Sequence, residues 1–198
     1  MGRVNLDAAT ALAWLRAFAG LVDERAGELT DLDRPIGDSD HGVNLQRGMH
    51  AVVAAFEQEA PDTAGAVLTK AGSTLVSTVG GASGPLFGTL LRRTGKALDG
   101  GDLASALRAG LDGVVKLGGA QVGDATLVDA LTPAVEALEA GRSPFEAAEA
   151  AAEGAASTEP LVARKGRASY LGERGVGHRD PGAESVVLLF TALEQVAA

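Results

Sequence analysis

Residues 102–117 read DLASALRAGLDGVVKL. Leu103, Ala106, Leu107, Gly110, Leu111, Val114 and Leu117 recur at spacings of three and four, which puts them on one face of an α-helix, and Asp102 stands where an N-cap belongs. The same signature repeats outward in both directions. Toward the N-terminus, Leu12, Leu15, Phe18, Ala19, Val22, Ala26 and Leu29 predict a helix from about Asn5 to Thr30. Leu45, Met49, Val52 and Phe56 predict a second, following Asp40 and stopping before Pro61. Val67, Ala71, Leu75 and Thr78 predict a third, capped by Asp62 and broken at Gly80 and Gly81, and a fourth spans Pro85 to Leu98. Toward the C-terminus, a helix from Asp124 to Ala140 presents Leu127, Leu131, Ala134 and Leu138, with Pro133 expected to kink or divide it. Ser143-Pro144-Phe145-Glu146 is a capping box that opens a seventh helix, ended by Pro160. Asp180-Pro181 opens an eighth that buries Val186, Leu189, Phe190, Leu193 and Val196. The run Val186–Phe190 is β-prone by composition, but its flanks favour helix. Alternating strand patterns are otherwise nearly absent. Eight amphipathic helices with short connections predict an all-α bundle or helical barrel, with residues 1–198 as a single domain.

Composition narrows the function classes. Lys and Arg number 17 against 26 Asp and Glu, a formal net charge of −9, so nucleic acid and anionic membranes are poor partners. The absence of cysteine excludes disulfides, thiol nucleophiles, thiolate-bound zinc and iron–sulfur clusters. Three histidines leave little room for a His-rich metal site. The N-terminus has no basic-then-apolar signal and no apolar run reaches about 18 residues, so a soluble, cytoplasmic protein is expected.

Four glycine-rich or charged segments are longer than helix connections need to be: 32–44, 80–88, 117–127 and 164–183. The first carries Asp33, Asp38 and Asp40. Three carboxylates so close repel unless a cation neutralises them, and an oxygen-only set suits Mg²⁺. The competing reading is solvated loop aspartates with Asp40 as the cap of the next helix. An EF-hand does not fit, because counting from Asp38 puts Gly42 fifth and Met49 twelfth, where glutamate is needed. GGASGPLFG at 80–88 is not a Walker loop, but its amides and the Ser83 hydroxyl could receive phosphate; close packing of small residues explains it equally well. Segment 164–183 gathers Arg164, Lys165, Arg167, Arg174, His178 and Arg179, the one concentrated cationic stretch, suited to phosphate or simply solvated. Of the histidines, His41 lies nearest the expected chemistry, His50 reads as structural and His178 as exposed. An acidic trio, amide-rich turns and a basic loop are the parts of a Mg²⁺–nucleotide site.

The motifs GDSDHGVN (37–44), GGASGPLFG (80–88), GDATLVDALTPA (123–134) and GRASYLGERGVGHRDPGA (166–183), in this order, resemble the L subunit of dihydroxyacetone kinase, which is also the nucleotide-binding domain of the single-chain ATP-dependent enzymes. The resemblance covers nearly the whole chain. It implies a barrel of eight antiparallel amphipathic helices with the nucleotide, ADP or ATP, in the loops at one end. Asp33, Asp38 and Asp40 match the aspartates that hold two Mg²⁺ ions. His41, Gly42, Val43 and Asn44 match the segment beside the phosphates, and Ala82 and Ser83 the glycine-rich loop that touches them. Gly118 and Leu127 match positions on the adenine side, and Arg167, Asp180, Pro181 and Gly182 the last nucleotide contacts. Ser39 stands where glycine or alanine is usual, with little effect expected. Ala125 and Leu127 stand where many bacterial members have lysine and methionine.

By the same resemblance no single side chain is the catalyst; Asp33, Asp38, Asp40 and His41 organise phosphoryl transfer by neutralising charge and holding the donor in line. The ketose sits on a separate K subunit. The nucleotide stays bound and is re-phosphorylated by an M subunit that relays phosphate from phosphoenolpyruvate. Two alternatives are a split ATP-dependent ketose kinase with exchanging nucleotide, and a non-catalytic nucleotide- or lipid-binding module, including a partner of a transcriptional regulator. A homodimer is left open.

Overall fold

The computed structural model describes residues 6–98 and 101–197. The helices run α1 (Ala8–Asp33), α2 (His41–Gln58), α3 (Ala64–Thr78), α4 (Ser83–Leu98), α5 (Leu103–Gly118), α6 (Leu127–Glu139), α7 (Pro144–Ser157) and α8 (Pro181–Ala197). A 3₁₀ segment, Arg167–Gly175, lies between α7 and α8 and turns sharply at Gly172. There is no strand among the described residues, and Val186–Phe190 is helical. No helix among them is long and apolar enough to cross a membrane.

Element boundaries follow side-chain chemistry. Asp7 caps α1, its carboxylate accepting from the Thr10 amide at 2.7 Å; the expected start at Asn5 lies outside the described residues. Thr63, not Asp62, caps α3, because its hydroxyl reaches the Ala66 amide. Thr126 rather than Asp124 opens α6, in a capping box completed by Asp129. Asp102 caps α5 and the Ser143–Glu146 box opens α7, as their spacing predicts, although α7 ends at Ser157, before Pro160. Pro133 does not divide α6. The carbonyl of Asp129, which loses its helical partner to Pro133, faces Gly154 of α7, where a Cβ would stand 2.2 Å from it. Close approach of α7 therefore covers the defect in α6.

Each helix packs on the next, and α8 returns to α1. The apolar stripes meet inside, with Trp14, Phe18, Phe87 and Phe190 fully buried. Phe18 stacks on Phe87 at 6.3 Å, and Trp14 Nε1–H donates to the Leu189 carbonyl at 2.8 Å, tying α1 to α8. Burial of each such ring contributes about 1.5–3 kcal/mol. Trp14 lies outside the predicted stripe of α1, whereas Leu12 within it is only half-buried. Leu117, the last residue of the stripe quoted first, is 54% exposed and stands at the rim of a cavity.

Candidate functional site

That cavity has a volume of ≈ 360 Å³. His41, Ser83, Leu127 and Pro181, which line it, are the first residues of α2, α4, α6 and α8. Every even-numbered helix thus begins at its wall, while α1 and α5 end there through Asp33 and Gly118. Four helix N-termini aimed at one cavity turn their positive dipole ends toward it, an environment for anions.

Asp33, Asp38 and Asp40 each offer a carboxylate oxygen, and these oxygens lie within 4.8 Å of one another. Asp33 is buried at the end of α1. Its Oδ2 accepts from the amides of Asp40 at 3.0 Å and His41 at 3.3 Å, and its carbonyl accepts from Ile36 and Gly37 at 3.1 and 2.6 Å. The loop is therefore folded around Asp33. Asp40 occupies the N-cap position of α2, yet its side chain makes no capping hydrogen bond. Asp33 does that work across the loop, leaving Asp40 free to face the other two acids. Burial, together with the charges of Asp38 and Asp33, holds the Asp40 carboxyl above its ordinary range, against an opposing hydrogen bond from Asn44. A cation among the three would relieve that repulsion, and an oxygen-only set suits a hard divalent ion. The Arg167 guanidinium reaches Asp38 at 2.8 Å from the 3₁₀ segment.

Ser39 joins the two outer acids with φ at +62°, in the left-handed region. Glycine enters this region freely, whereas a β-branched residue is strained there. Ser39→Gly is therefore expected to keep or raise stability within about 1 kcal/mol, and Ser39→Val to lower it by more than about 1 kcal/mol, measured by urea unfolding.

His41 is buried, and its imidazole connects three helix starts. Nε2 lies 2.7 Å from Ser185 Oγ and Nδ1 3.0 Å from Ser83 Oγ. The Ser185 hydroxyl donates to the Pro181 carbonyl at 2.9 Å, so toward His41 it can only accept. This assigns the proton to Nε2 and leaves Nδ1 to accept from Ser83. Burial pulls the imidazole down to about 4, against the charge of Asp33, so it is neutral at physiological pH. His41 thus acts as a fixed strut that orients the Ser83 hydroxyl at the cavity wall.

The loop before α6 is built by carboxylates that do not face the cavity. Asp129 accepts from the amides of Gly123 and Thr126 at 2.6 and 2.8 Å, and Asp124 from that of Gln121 at 3.0 Å. The Asp124 carbonyl accepts from the Arg164 amide at 3.0 Å, binding the last loop to this one. Ala125 is the second non-glycine residue with positive φ among the described residues, at +57°. Asp180 precedes α8 and accepts from the Ala183 amide at 2.7 Å. Burial pushes its carboxyl up to about 7, with the charges of Asp129 and Asp33 adding to the effect and the Ala183 amide opposing it.

The cavity brings together Asp33, Asp38, Asp40, His41, Ala82, Ser83, Gly118, Leu127, Arg167, Asp180, Pro181 and Gly182. Gly42, Val43 and Asn44 do not line it. Gly42 packs against α1, Val43 is 54% exposed, and Asn44 accepts from Arg47 at 2.8 Å. Lys165, read from the sequence only as part of the cationic segment, is a wall residue, and sequence reasoning missed the apolar wall of Leu86, Phe87, Val114 and Val128. Lys165 neighbours the Arg167 motif, which is a usable signal. The apolar residues continue helix stripes and cannot be told from core by periodicity. His50 is exposed and makes a hydrogen bond to Asp23 at 2.7 Å, and His178 is exposed.

The PEP-dependent dihydroxyacetone kinase 1, ADP-binding subunit DhaL, of Listeria innocua is 44% identical over 97% of this chain and 98% of its own length. The corresponding subunit of the PEP-dependent enzyme of Escherichia coli is 41% identical over 98% of this chain and 99% of its own. Among solved structures, the dihydroxyacetone kinase of C. freundii in complex with AMP-PNP and Mg²⁺ superposes with a TM-score of 0.79 at 26% identity; the match covers 98% of this chain and 36% of that one. A family model for the DAK2 domain matches residues 35–195, and with these relatives it shows that the chain belongs to the DAK2 domain family.

Proposed function

We propose that this chain is the nucleotide-binding, phosphoryl-transferring subunit of a dihydroxyacetone kinase, with phosphoenolpyruvate as ultimate donor. The observation that carries the reading is the acidic trio in the wall of a cavity where four helix N-termini converge, with Asp40 at a cap position it does not use as a cap. Full-length similarity to subunits named for PEP-dependent dihydroxyacetone kinases supports the donor and the division of labour. The cycle of helix contacts supports an eight-helix barrel, and helix starts alternating with helix ends around the cavity support an antiparallel one.

In this reading Asp33, Asp38 and Asp40 hold two Mg²⁺ ions. When bound, these ions neutralise the phosphate oxygens on which charge develops. Asp33 fixes the loop that carries the other two acids. The starts of α2, α4 and α8 turn their positive dipole ends toward the diphosphate, and Ser83, oriented by neutral His41, is placed to meet it. Arg167, which pairs with Asp38 in this structure, would be within the same cavity to meet a phosphate oxygen once a cation took up the Asp38 charge. Gly118 and Leu127 frame the base. Both nitrogens of His41 are engaged, so it does not activate the ketose hydroxyl. That ketose is held by a K subunit, and an M subunit restores the phosphate.

Native mass spectrometry of gently purified protein tests this reading. Retained ADP and Mg²⁺, with turnover only when phosphoenolpyruvate and the relay proteins are supplied, are the expected results. Free nucleotide exchange with direct turnover of ATP would instead indicate a split ATP-dependent kinase. Failure to bind nucleotide at all would overturn the assignment.

A further inference from the structure

Segment 164–183 is not the only concentration of positive charge. On the outer face of the α4–α5 pair, Arg92, Arg93 and Lys96 of α4 and Lys116 of α5 line a groove of ≈ 850 Å³. All four side chains belong to exposed residues, and none has a carboxylate partner among the described residues. By contrast Arg25, Arg34, Lys70, Arg108 and Arg179 each pair with an acid. The lysines lie in the last turns of their helices, where they complement the helix dipole. That accounts for Lys96 and Lys116 singly, but not for Arg92 and Arg93, which stand within α4. Ala97 and Ala109 add small residues to the lining, and the Arg93 stem lies over Gly113, which carries its guanidinium across the groove from α4 toward α5. At one end it reaches Leu117, which also lines the nucleotide cavity.

We infer that this groove is a docking site for a carboxylate-bearing segment of the protein that brings the phosphoryl acceptor to the nucleotide. The inference rests on the function proposed above for the partner's task, while the groove itself rests on charge and shape. Four cations without a carboxylate partner among the described residues, in a chain of net charge −9, make a local patch and not a basic face. The acidity of the rest repels an extended polyanion or an anionic bilayer but accepts a short acidic segment that contacts the groove alone. Ala109 to Leu117 of α5 cover about 12 Å at the helical rise, a length suited to one such segment. Docking at the Leu117 end places the body of the partner beside the mouth of the cavity. Arg92 and Arg93 thus serve recognition and leave nucleotide binding untouched.

The test uses the full chain and a charge-reversed form, Arg92→Glu, Arg93→Glu and Lys96→Glu together. A fluorescent octaglutamate peptide is the direct probe, read by anisotropy at about 20 and about 300 mM salt. Expected is binding by the unaltered chain that weakens with salt and falls at least about tenfold in the variant, with Mg²⁺-dependent ADP binding unchanged. In turnover with the K subunit, KM for that subunit should rise at least about tenfold with kcat within about twofold. The neutral pair Arg92→Ala and Arg93→Ala gives the same direction if charge reversal disturbs folding. Equal peptide binding by variant and parent, or an unchanged KM, would overturn the proposal, as would an oligonucleotide of equal charge binding this groove more tightly than the peptide. Because the peptide measurement needs no phosphoryl transfer, a chain that lacks nucleotide yet shows the charge-dependent binding refutes the proposed function and not the groove.

Discussion

Asp38→Ala is expected to abolish Mg²⁺-dependent ADP binding and phosphoryl transfer while the helices remain folded. Asp38 lies in the loop after α1, with 40% of its side chain exposed, and its ion pair is to Arg167, itself 68% exposed. Such a pair contributes about 0–1 kcal/mol, so the melting temperature should move by no more than about 4 °C. The effect on the site is of another order. Removing one of three converging carboxylates takes away a charge and, in the proposed function, a ligand, and outer-sphere partners of a metal are already worth about 10–100-fold in affinity. A loss of more than about 100-fold in Mg²⁺-dependent affinity is therefore expected by calorimetry, with an unchanged helical circular-dichroism spectrum. Asp33→Ala is a less discriminating experiment. It also removes the acceptor for the Asp40 and His41 amides, so loss of binding could follow from a collapsed loop. An Asp38→Ala protein that binds Mg²⁺ and ADP like the parent would remove the trio from the mechanism.

The contrast between Asp38 and Asp33 shows what the sequence disclosed and what it concealed. Helix stripes were legible because burial imposes a period, and each of the seven helix starts expected on described residues came within three residues of the observed one. Caps were harder, since neighbouring residues compete for the same amides: Thr63 prevails over Asp62, and Thr126 over Asp124. The three acids were legible as a cluster, but not their choice between capping and facing one another. That choice depends on Asp33 reaching across the loop to the amides of Asp40 and His41, a contact no spacing encodes. The chain from Ser83 through His41 to Ser185 was equally hidden, because its members are 42 and 144 residues apart. The α4–α5 groove escaped notice for the same reason. Its cations are spread over two helices and gather only when α4 lies beside α5.

Gly42→Ala is expected to have the largest effect on folding. Gly42 falls in a motif whose resemblance suggests phosphate contact, yet it does not line the cavity. It lies where α2 crosses α1, and a Cβ there would stand 2.0 Å from the Ala26 carbonyl oxygen and 2.6 Å from Thr30 Oγ1. The Thr30 hydroxyl already donates to that carbonyl at 2.8 Å, so the obstruction is backbone held in place by a hydrogen bond, not a side chain that can turn away. The helices must separate to admit one methyl group. Overpacking of this kind costs about 1–3 kcal/mol or more, against a gain of about 1 kcal/mol in helix propensity from glycine to alanine. A net loss of up to about 2 kcal/mol is expected, seen as a fall of up to about 4–8 °C in melting temperature. The same separation moves Asp40 and His41, at the start of α2, away from Asp33, at the end of α1, and Mg²⁺-dependent ADP affinity should fall with it. Val43→Ala, one residue along and exposed, is the control and should leave both properties unchanged. A Gly42→Ala protein with parental melting temperature and reduced ADP affinity would mean that this glycine serves the phosphates directly. Loss of both together ties the acidic trio to the crossing of α1 and α2, so that the packing of two helices sets the spacing of the carboxylates they carry.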